Sequence, residues 1–212
     1  MNTKEGKFIT IEGQDGAGKT TNLALICDEL AAKNINHIVT REPGGTPLGE
    51  AIREILLNRN ELEITPVSEL LLMFAARAQH LDSIIEPALK EGIWVVCDRF
   101  TDASYAYQGG GHGLGPSNIA TLASMIQKGR EPDLTILLDL EVQIGESRVS
   151  TRNEEKDRYE KQKSNFKKRV RETYLQLAEE NPYRIQIVDA SKNIENVSLK
   201  IQNILQKFLE NA

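Results

Sequence analysis

Short apolar runs recur along the chain at Phe8–Glu12, Ile35–Thr40, Ile93–Asp98, Leu134–Asp139 and Arg184–Asp189. Within each run the apolar positions are mostly successive rather than alternate, the pattern of strands buried on both faces. Between the runs the spacing changes to that of helices. Ile194, Val197, Ile201, Ile204, Leu205 and Phe208 fall on one helical face, as do Phe166, Val170, Tyr174 and Leu177. A further helical run extends from Thr21 to Lys33. This alternation predicts an α/β domain in three layers, a five-stranded parallel sheet covered by helices on both faces. The glycines at 109, 110, 111, 113 and 115 make Gln108–Pro116 read as a loop. In parallel sheets ligands bind beyond the carboxyl ends of the strands, so the residues following each strand are the ones to examine.

Composition narrows the possibilities. At 212 residues the chain is expected to form a single domain, 1–212. With 40% hydrophobic and 27% charged residues it is neither disordered nor fibrous. Its longest apolar runs fall far short of the roughly 18 residues that a membrane span needs. Met1–Lys7 is polar and does not resemble a secretory leader. Cys27 and Cys97 read as reduced, buried thiols, so a cytoplasmic protein is expected. A net charge of -5 argues against nucleic acid or an acidic membrane as partner. Charge is uneven, however: Arg148–Arg171 holds ten basic and four acidic residues, a local +6 that leaves the remainder at -11. Such a segment suits one small anion better than a polyanion.

The anion is indicated after the first run. Gly13-Gln14-Asp15-Gly16-Ala17-Gly18-Lys19-Thr20 matches G-x-x-x-x-G-K-[ST], with a strand before it and a helix after it. Its glycines let successive N–H groups turn inward on a polyphosphate at the positive end of the helix. Lys19 adds a charge at the β- and γ-phosphates, and the hydroxyl of Thr20 can coordinate Mg²⁺. A nucleoside triphosphate with Mg²⁺ is the expected ligand of this loop and of Thr21 behind it. A guanine-reading N-K-x-D tetrad is absent from the sequence, which disfavours a switch GTPase. The third run ends in Asp98-Arg99, a group able to act through Mg²⁺ beside one able to grip a second phosphate. That pairing favours phosphoryl transfer to another phosphate over hydrolysis.

Three more segments fall on the same edge: Arg41-Glu42-Pro43-Gly44-Gly45-Thr46 with Arg53 behind it, Met73-Phe74-Ala75-Ala76-Arg77-Ala78-Gln79-His80, and Asp98-Arg99-Phe100-Thr101-Asp102-Ala103-Ser104-Tyr105-Ala106-Tyr107-Gln108-Gly109. Through them the chain resembles the thymidylate kinases, nucleoside monophosphate kinases that phosphorylate dTMP, over nearly its whole length. The resemblance implies ATP plus dTMP giving ADP plus dTDP, on the route to dTTP, by a homodimer. It implies that Arg53 and Arg99 hold the dTMP phosphate and that Arg77 donates to thymine O4. Ser104 and Gln108 would read the rest of the base edge, and Asp15 would accept from the 3′-hydroxyl. Tyr107 would occupy the space that a 2′-hydroxyl needs. Met73 stands where the family places a stacking aromatic, with Phe74 about 100° further round the helix; Met73 is expected at the base and Phe74 in the core.

The resemblance also bears on the basic segment. One branch of the family carries an arginine inside the phosphate loop and another carries its arginines in a lid. Here the loop has Gly16 at that position, so Arg148 and Arg152, in a mobile lid at about 147–162, are the expected sources of charge. Ser147–Gln162 has almost no apolar side chains with which to pack. Asp98 is expected to orient the metal's water shell, with Glu12 as a second candidate. His37, His80 and His112 are scattered and are expected to play no catalytic part. A kinase of another nucleoside monophosphate and a nucleotide-binding module without turnover are the competing readings.

Overall fold

The structure, a computed structural model, describes residues 5–59, 61–151 and 157–211. They form a sheet of β1 (Phe8–Gly13), β2 (His37–Arg41), β3 (Trp94–Asp98), β4 (Leu134–Asp139) and β5 (Ile185–Asp189), all parallel, in the order β2-β3-β1-β4-β5. β1 is the central strand, and every residue of it is buried. The phosphate loop follows β1 and leads into α1 (Lys19–Ala32). α2 (Pro47–Leu57) and α3 (Pro66–His80) follow β2, each started by a proline after a threonine whose hydroxyl accepts an N–H of the first turn. α3 runs on through a π-helical turn, Leu81–Ile85, into α4 (Glu86–Lys90).

Both faces of the sheet are covered. Ile9, Ile11, Ile136 and Leu138 point to α1 and the C-terminal helix, alternating along their strands with Phe8, Thr10, Thr135 and Leu137 on the opposite face. Thr10 and Thr135 meet there at 2.7 Å, each satisfying the other's buried hydroxyl. That second face packs against α3, α4 and α8 (Ser164–Glu180). In the order of the chain, α5 (Thr101–Ser104), α6 (Pro116–Gln127) and α7 (Val142–Ser150) precede α8, and α9 (Ile194–Asn211) closes it.

The strands lie where the apolar runs predict them, their ends differing by no more than two residues. The glycine-rich stretch is a loop only over residues 112–115. Tyr105–Gly111 continues α5 as a π-helical segment, because α8 packs so closely that larger residues would not fit. A Cβ on Gly110 would lie 2.0 Å from Thr173 Oγ1, and one on Gly111 would lie 2.6 Å from the Phe166 ring. Gly110 and Gly111 are small for packing, whereas Gly113 and Gly115, at φ of 74° and 79° with open space around them, serve the turn. Cys97 is buried as expected, whereas Cys27 is only half-buried.

Candidate active site

A cleft of about 480 Å³ opens at the carboxyl ends of β1, β2 and β3. The size suits a mononucleotide, within the ordinary range of small-molecule sites. Its floor is the phosphate loop. Gly16 and Gly18 take φ of 82° and 88°, in the left-handed region that glycine tolerates without cost. Gly16, Gly18, Lys19, Thr20 and Thr21 all border the cleft. Lys19 Nζ donates to the carbonyls of Gly13 (3.1 Å) and Gln14 (3.2 Å) and lies 3.8 Å from Asp15 Oδ1. Burial, with Arg99 nearby, lowers its pKa, so an anion in the loop would relieve stress already present. Two members of the loop turn their side chains away from the cleft. The Ala17 methyl packs into the core beneath α1, and the Gln14 side chain turns towards α7 and α8.

Arg99 is built into the site under strain. Its φ of 69° is uncommon for any residue with a side chain. The turn is held by Arg99 N–H donating to Ile11 O (3.0 Å) and Phe100 N–H donating to Glu12 Oε1 (2.7 Å). The guanidinium donates to Gly13 O (2.5 Å), Asp15 Oδ1 (2.8 Å) and Tyr107 Oη (3.2 Å), and lies over the Tyr107 ring. One side chain therefore ties the phosphate loop to the far wall. Arg53, on α2, donates to Pro43 O (3.0 Å), and burial, followed by Arg41, lowers its pKa. Lys19, Arg53 and Arg99 thus converge on one cavity. Asp98 Oδ1 is also there, buried and without a hydrogen-bond partner among the described residues.

The opposite end of the cleft is less charged. Met73, Arg77, Ser104, Tyr107 and Gln108 border it. Phe74 does not: it is buried with Leu70 and Ile119, its ring 4.7 Å from the Arg77 guanidinium. Gln108 Nε2 donates to Glu69 Oε1 (2.8 Å), which fixes the amide so that its oxygen is the atom left over. Tyr107 is wedged edge-on against Tyr159, Phe166 and Tyr174.

The basic segment is largely committed elsewhere. Arg171 pairs with Asp139 (2.7 Å) and Glu141 (2.5 Å), Lys167 with Glu146 (3.0 Å), and Arg158 donates to the carbonyls of Arg59 and Leu62. Arg148 reaches the phosphate loop, but at Gly16 O (3.3 Å). Arg152 lies outside the described residues. Contrary to the expectation that this stretch has little to pack with, Tyr159 and Val149 are buried.

Several residues that support the site carry no motif signal of their own. Glu12 is fully buried, its oxygens taken by Phe100 N–H and by Tyr174 Oη–H (2.7 Å), so it braces the Arg99 turn rather than facing a metal. Glu69 orients Gln108 and also meets His112 Nε2 (3.0 Å). Glu69, Met73 and Arg77 follow an i, i+4, i+8 spacing on α3, a periodicity visible in the sequence. Gly145 of α7 touches the phosphate loop backbone to backbone. A Cβ on Gly16 would lie 2.6 Å from Gly145 O, and one on Gly145 would lie 2.8 Å from Asp15 O.

Comparison with known proteins agrees with this geometry. The family model for thymidylate kinase matches residues 11–201. A thymidylate kinase of Chromohalobacter salexigens is 53% identical over 197 residues, covering 92% of this chain and 93% of its own length. One from Ruthia magnifica is 50% identical over 203 residues, covering 96% and 98%. The crystal structure of thymidylate kinase from Ehrlichia chaffeensis superposes with a TM-score of 0.77 at 34% identity, covering 95% of this chain and 99% of that one. Since the match runs from β1 into α9 and takes in both ends of the cleft, the chain belongs to the thymidylate kinase family.

Proposed function

We propose that the protein transfers the γ-phosphoryl group of ATP to dTMP, giving ADP and dTDP. The convergence of Lys19, Arg53 and Arg99 on one cavity carries this reading, because two polyanions meeting end to end need cations from both sides. In it, Arg53 and Arg99 hold the acceptor phosphate and Asp15 accepts from the 3′-hydroxyl. The thymine ring lies against Met73, whose thioether makes a softer contact than an aromatic ring. Arg77 donates to O4. Gln108, with its nitrogen committed to Glu69, offers its oxygen to N3–H, and Ser104 lies beside it. Tyr107, gripped by three rings, has no freedom to make room for a 2′-hydroxyl.

The acceptor phosphate has a second pKa near 6, so at neutral pH it is a dianion and already nucleophilic. No general base is required. The histidines are otherwise occupied: His37 Nδ1 lies 3.0 Å from Ile35 O, His80 bonds Glu42 and Thr40, and His112 bonds Glu69. What remains for the protein is to align donor and acceptor and to match the charge spreading over the transferring group. The unpartnered oxygen of Asp98 and the hydroxyl of Thr20, both on the cleft, fit Mg²⁺, which is commonly held by one or two protein oxygens besides phosphates and water. When bound, the ion would neutralise charge on the β- and γ-phosphates of ATP.

Residues 147–162 are read as a lid over the donor within a single domain 1–212. Support comes from Arg148 at Gly16 O and from Asp157, Tyr159 and Glu160, which border the cleft. The exposed side chains of Val67 and Leu71 on α3 and Met125 on α6 support a homodimer. Among the described residues no helix is long and apolar enough to cross a membrane, and a cytoplasmic location is part of the same proposal.

An ATP/ADP coupled assay over a panel of monophosphates tests the reading. ADP release should depend on dTMP and exceed that with any other monophosphate; preference for another acceptor, or ATP binding without turnover, would refute it. The contact between α7 and the loop gives a finer test. Gly145→Ala must move the loop or the helix, and displacements approaching 1 Å at a reacting site lower turnover by about tenfold to a hundredfold. A kcat within about threefold of the parent value would reduce this contact to simple packing.

A further inference from the structure

Arg77 is held at every point but one. Its Nε–H donates to Glu42 Oε2 at 2.6 Å and its Nη2 donates to Phe100 O at 3.0 Å. The rings of Phe74 and Phe100 lie 4.7 and 5.1 Å from the guanidinium carbon. Nη1 is buried and has no hydrogen-bond partner among the described residues. A buried donor without a partner is costly, and the cost is recovered only when an acceptor arrives in the cleft.

Glu42 is itself held. Its other oxygen, Oε1, accepts from His80 Nδ1 at 3.0 Å, and His80 Nε2 lies 2.6 Å from Thr40 Oγ1 at the end of β2. Glu42, Arg77 and His80 have side chains no more than 4% exposed. Gly45 closes over the imidazole, and a Cβ there would lie 2.6 Å from Nε2. The chain Thr40–His80–Glu42–Arg77 therefore anchors one guanidinium to a sheet strand through two buried bonds and one half-buried one.

We propose that Glu42 and His80 are positioning residues that set the base preference of the site, by locking Arg77 so that its unpartnered Nη1, a donor only, meets the 4-position of the pyrimidine. This rests on the proposed reading in which Arg77 faces the base. Thymine carries an acceptor oxygen at that position, whereas cytosine carries an amino donor. A guanidinium cannot give up its proton to become an acceptor, so a locked Arg77 confronts cytosine with donor against donor. An Arg77 free to swing aside would evade that conflict. Rejection of cytosine is thus a property of the relay as much as of the arginine. Glu42 lies inside the Arg41–Thr46 segment and His80 is three residues beyond Arg77 on α3, yet nothing in their spacing announces that they act together.

The test compares kcat/KM for dTMP and dCMP in the intact enzyme. Glu42→Ala should lower the dTMP:dCMP ratio by about tenfold, mainly through a higher KM for dTMP, since a well-placed base contact discriminates by roughly that factor or more. Glu42→Gln retains an acceptor for Arg77 and a polar partner for His80, and should restore the ratio to within about threefold of the parent. His80→Phe, which keeps a planar ring but removes both nitrogens and so cuts the bonds to Glu42 and Thr40, should lower the ratio about threefold, and His80→Asn, which returns a donor near Glu42, should recover it. If Glu42→Ala does not fold, His80→Phe decides. An active Glu42→Ala or His80→Phe enzyme with the parent ratio would overturn the proposal. Arg77→Leu separates the two levels: an unchanged ratio there would remove Arg77 from the base altogether. Loss of discrimination in Arg77→Leu alone would leave the arginine in place and discard the relay.

Discussion

Arg99→Ala is expected to lower the rate of phosphoryl transfer by about a thousandfold while changing ATP affinity by less than about threefold. The asymmetry follows from what the guanidinium reaches. It spans Gly13 O, Asp15 and Tyr107, at the boundary between the two halves of the cleft, whereas in the proposed reading the donor phosphates are held by Lys19 and the loop amides. Arg99→Lys should rescue little, because one ammonium cannot replace a planar fork that bonds in several directions at once. Backbone strain supplies a control for folding. At φ of 69° an arginine or alanine is disfavoured and a glycine is not, so Arg99→Gly should be at least as stable as Arg99→Ala, by up to about 1 kcal/mol, and equally inactive. Single-turnover measurements at saturating dTMP, paired with ATP titrations, check both quantities. Equal losses of turnover and ATP binding would place Arg99 with the donor instead.

Much of this site is visible in the sequence because its chemistry is local. The phosphate loop is a contiguous run, and Arg53, Arg77, Ser104, Tyr107 and Gln108 sit in segments whose order along the chain matches their order along the sheet edge. The second tier is invisible for the converse reason. Glu42 and Arg77 are 35 residues apart, and Glu12 and Tyr174 are 162 apart. A carboxylate in isolation does not reveal whether it faces water, a metal or a buried phenol. Glu12, which lies immediately before the phosphate loop, passes for a metal-orienting group until the fold brings Phe100 and Tyr174 against both its oxygens. The same limit explains Tyr105–Gly111. Glycine disfavours a helix by about 1 kcal/mol in isolation, and only the proximity of α8, which leaves no room for a Cβ, makes Gly110 and Gly111 necessary. The basic stretch misleads in the other direction. Its net charge is real, but Arg171 and Lys167 are neutralised by acids from α7 and the end of β4.

The second large effect concerns Glu12. Burial first, then the nearby Asp102, raises its pKa from 4.5 to about 8, against the opposing influence of Arg99 and the hydrogen bonds from Tyr174 and Phe100. The folded protein therefore holds a proton on this side chain, between about pH 4.5 and 8, that the unfolded chain has released. Where the folded state binds more protons, unfolding free energy falls as pH rises, so this stabilising contribution is full below pH 4.5 and lost as pH climbs through about 8. At about 1.4 kcal/mol per unit, the whole change is on the order of 5 kcal/mol, and coupling to Asp102 makes that an upper figure. Glu12→Gln imitates the protonated acid. Its carbonyl can accept from Phe100 N–H and its amide can donate to the Tyr174 oxygen, with no charge to bury. Chemical denaturation from pH 5 to 9 should show the parent losing stability relative to Glu12→Gln as pH rises, with the variant the more stable of the two at pH 9. Because every other titrating group is common to both proteins, their difference isolates Glu12. Parallel stability curves would mean that its carboxyl is ionised in both folded and unfolded states across this range, and that the Arg99 turn is braced by an anion rather than by a neutral acid.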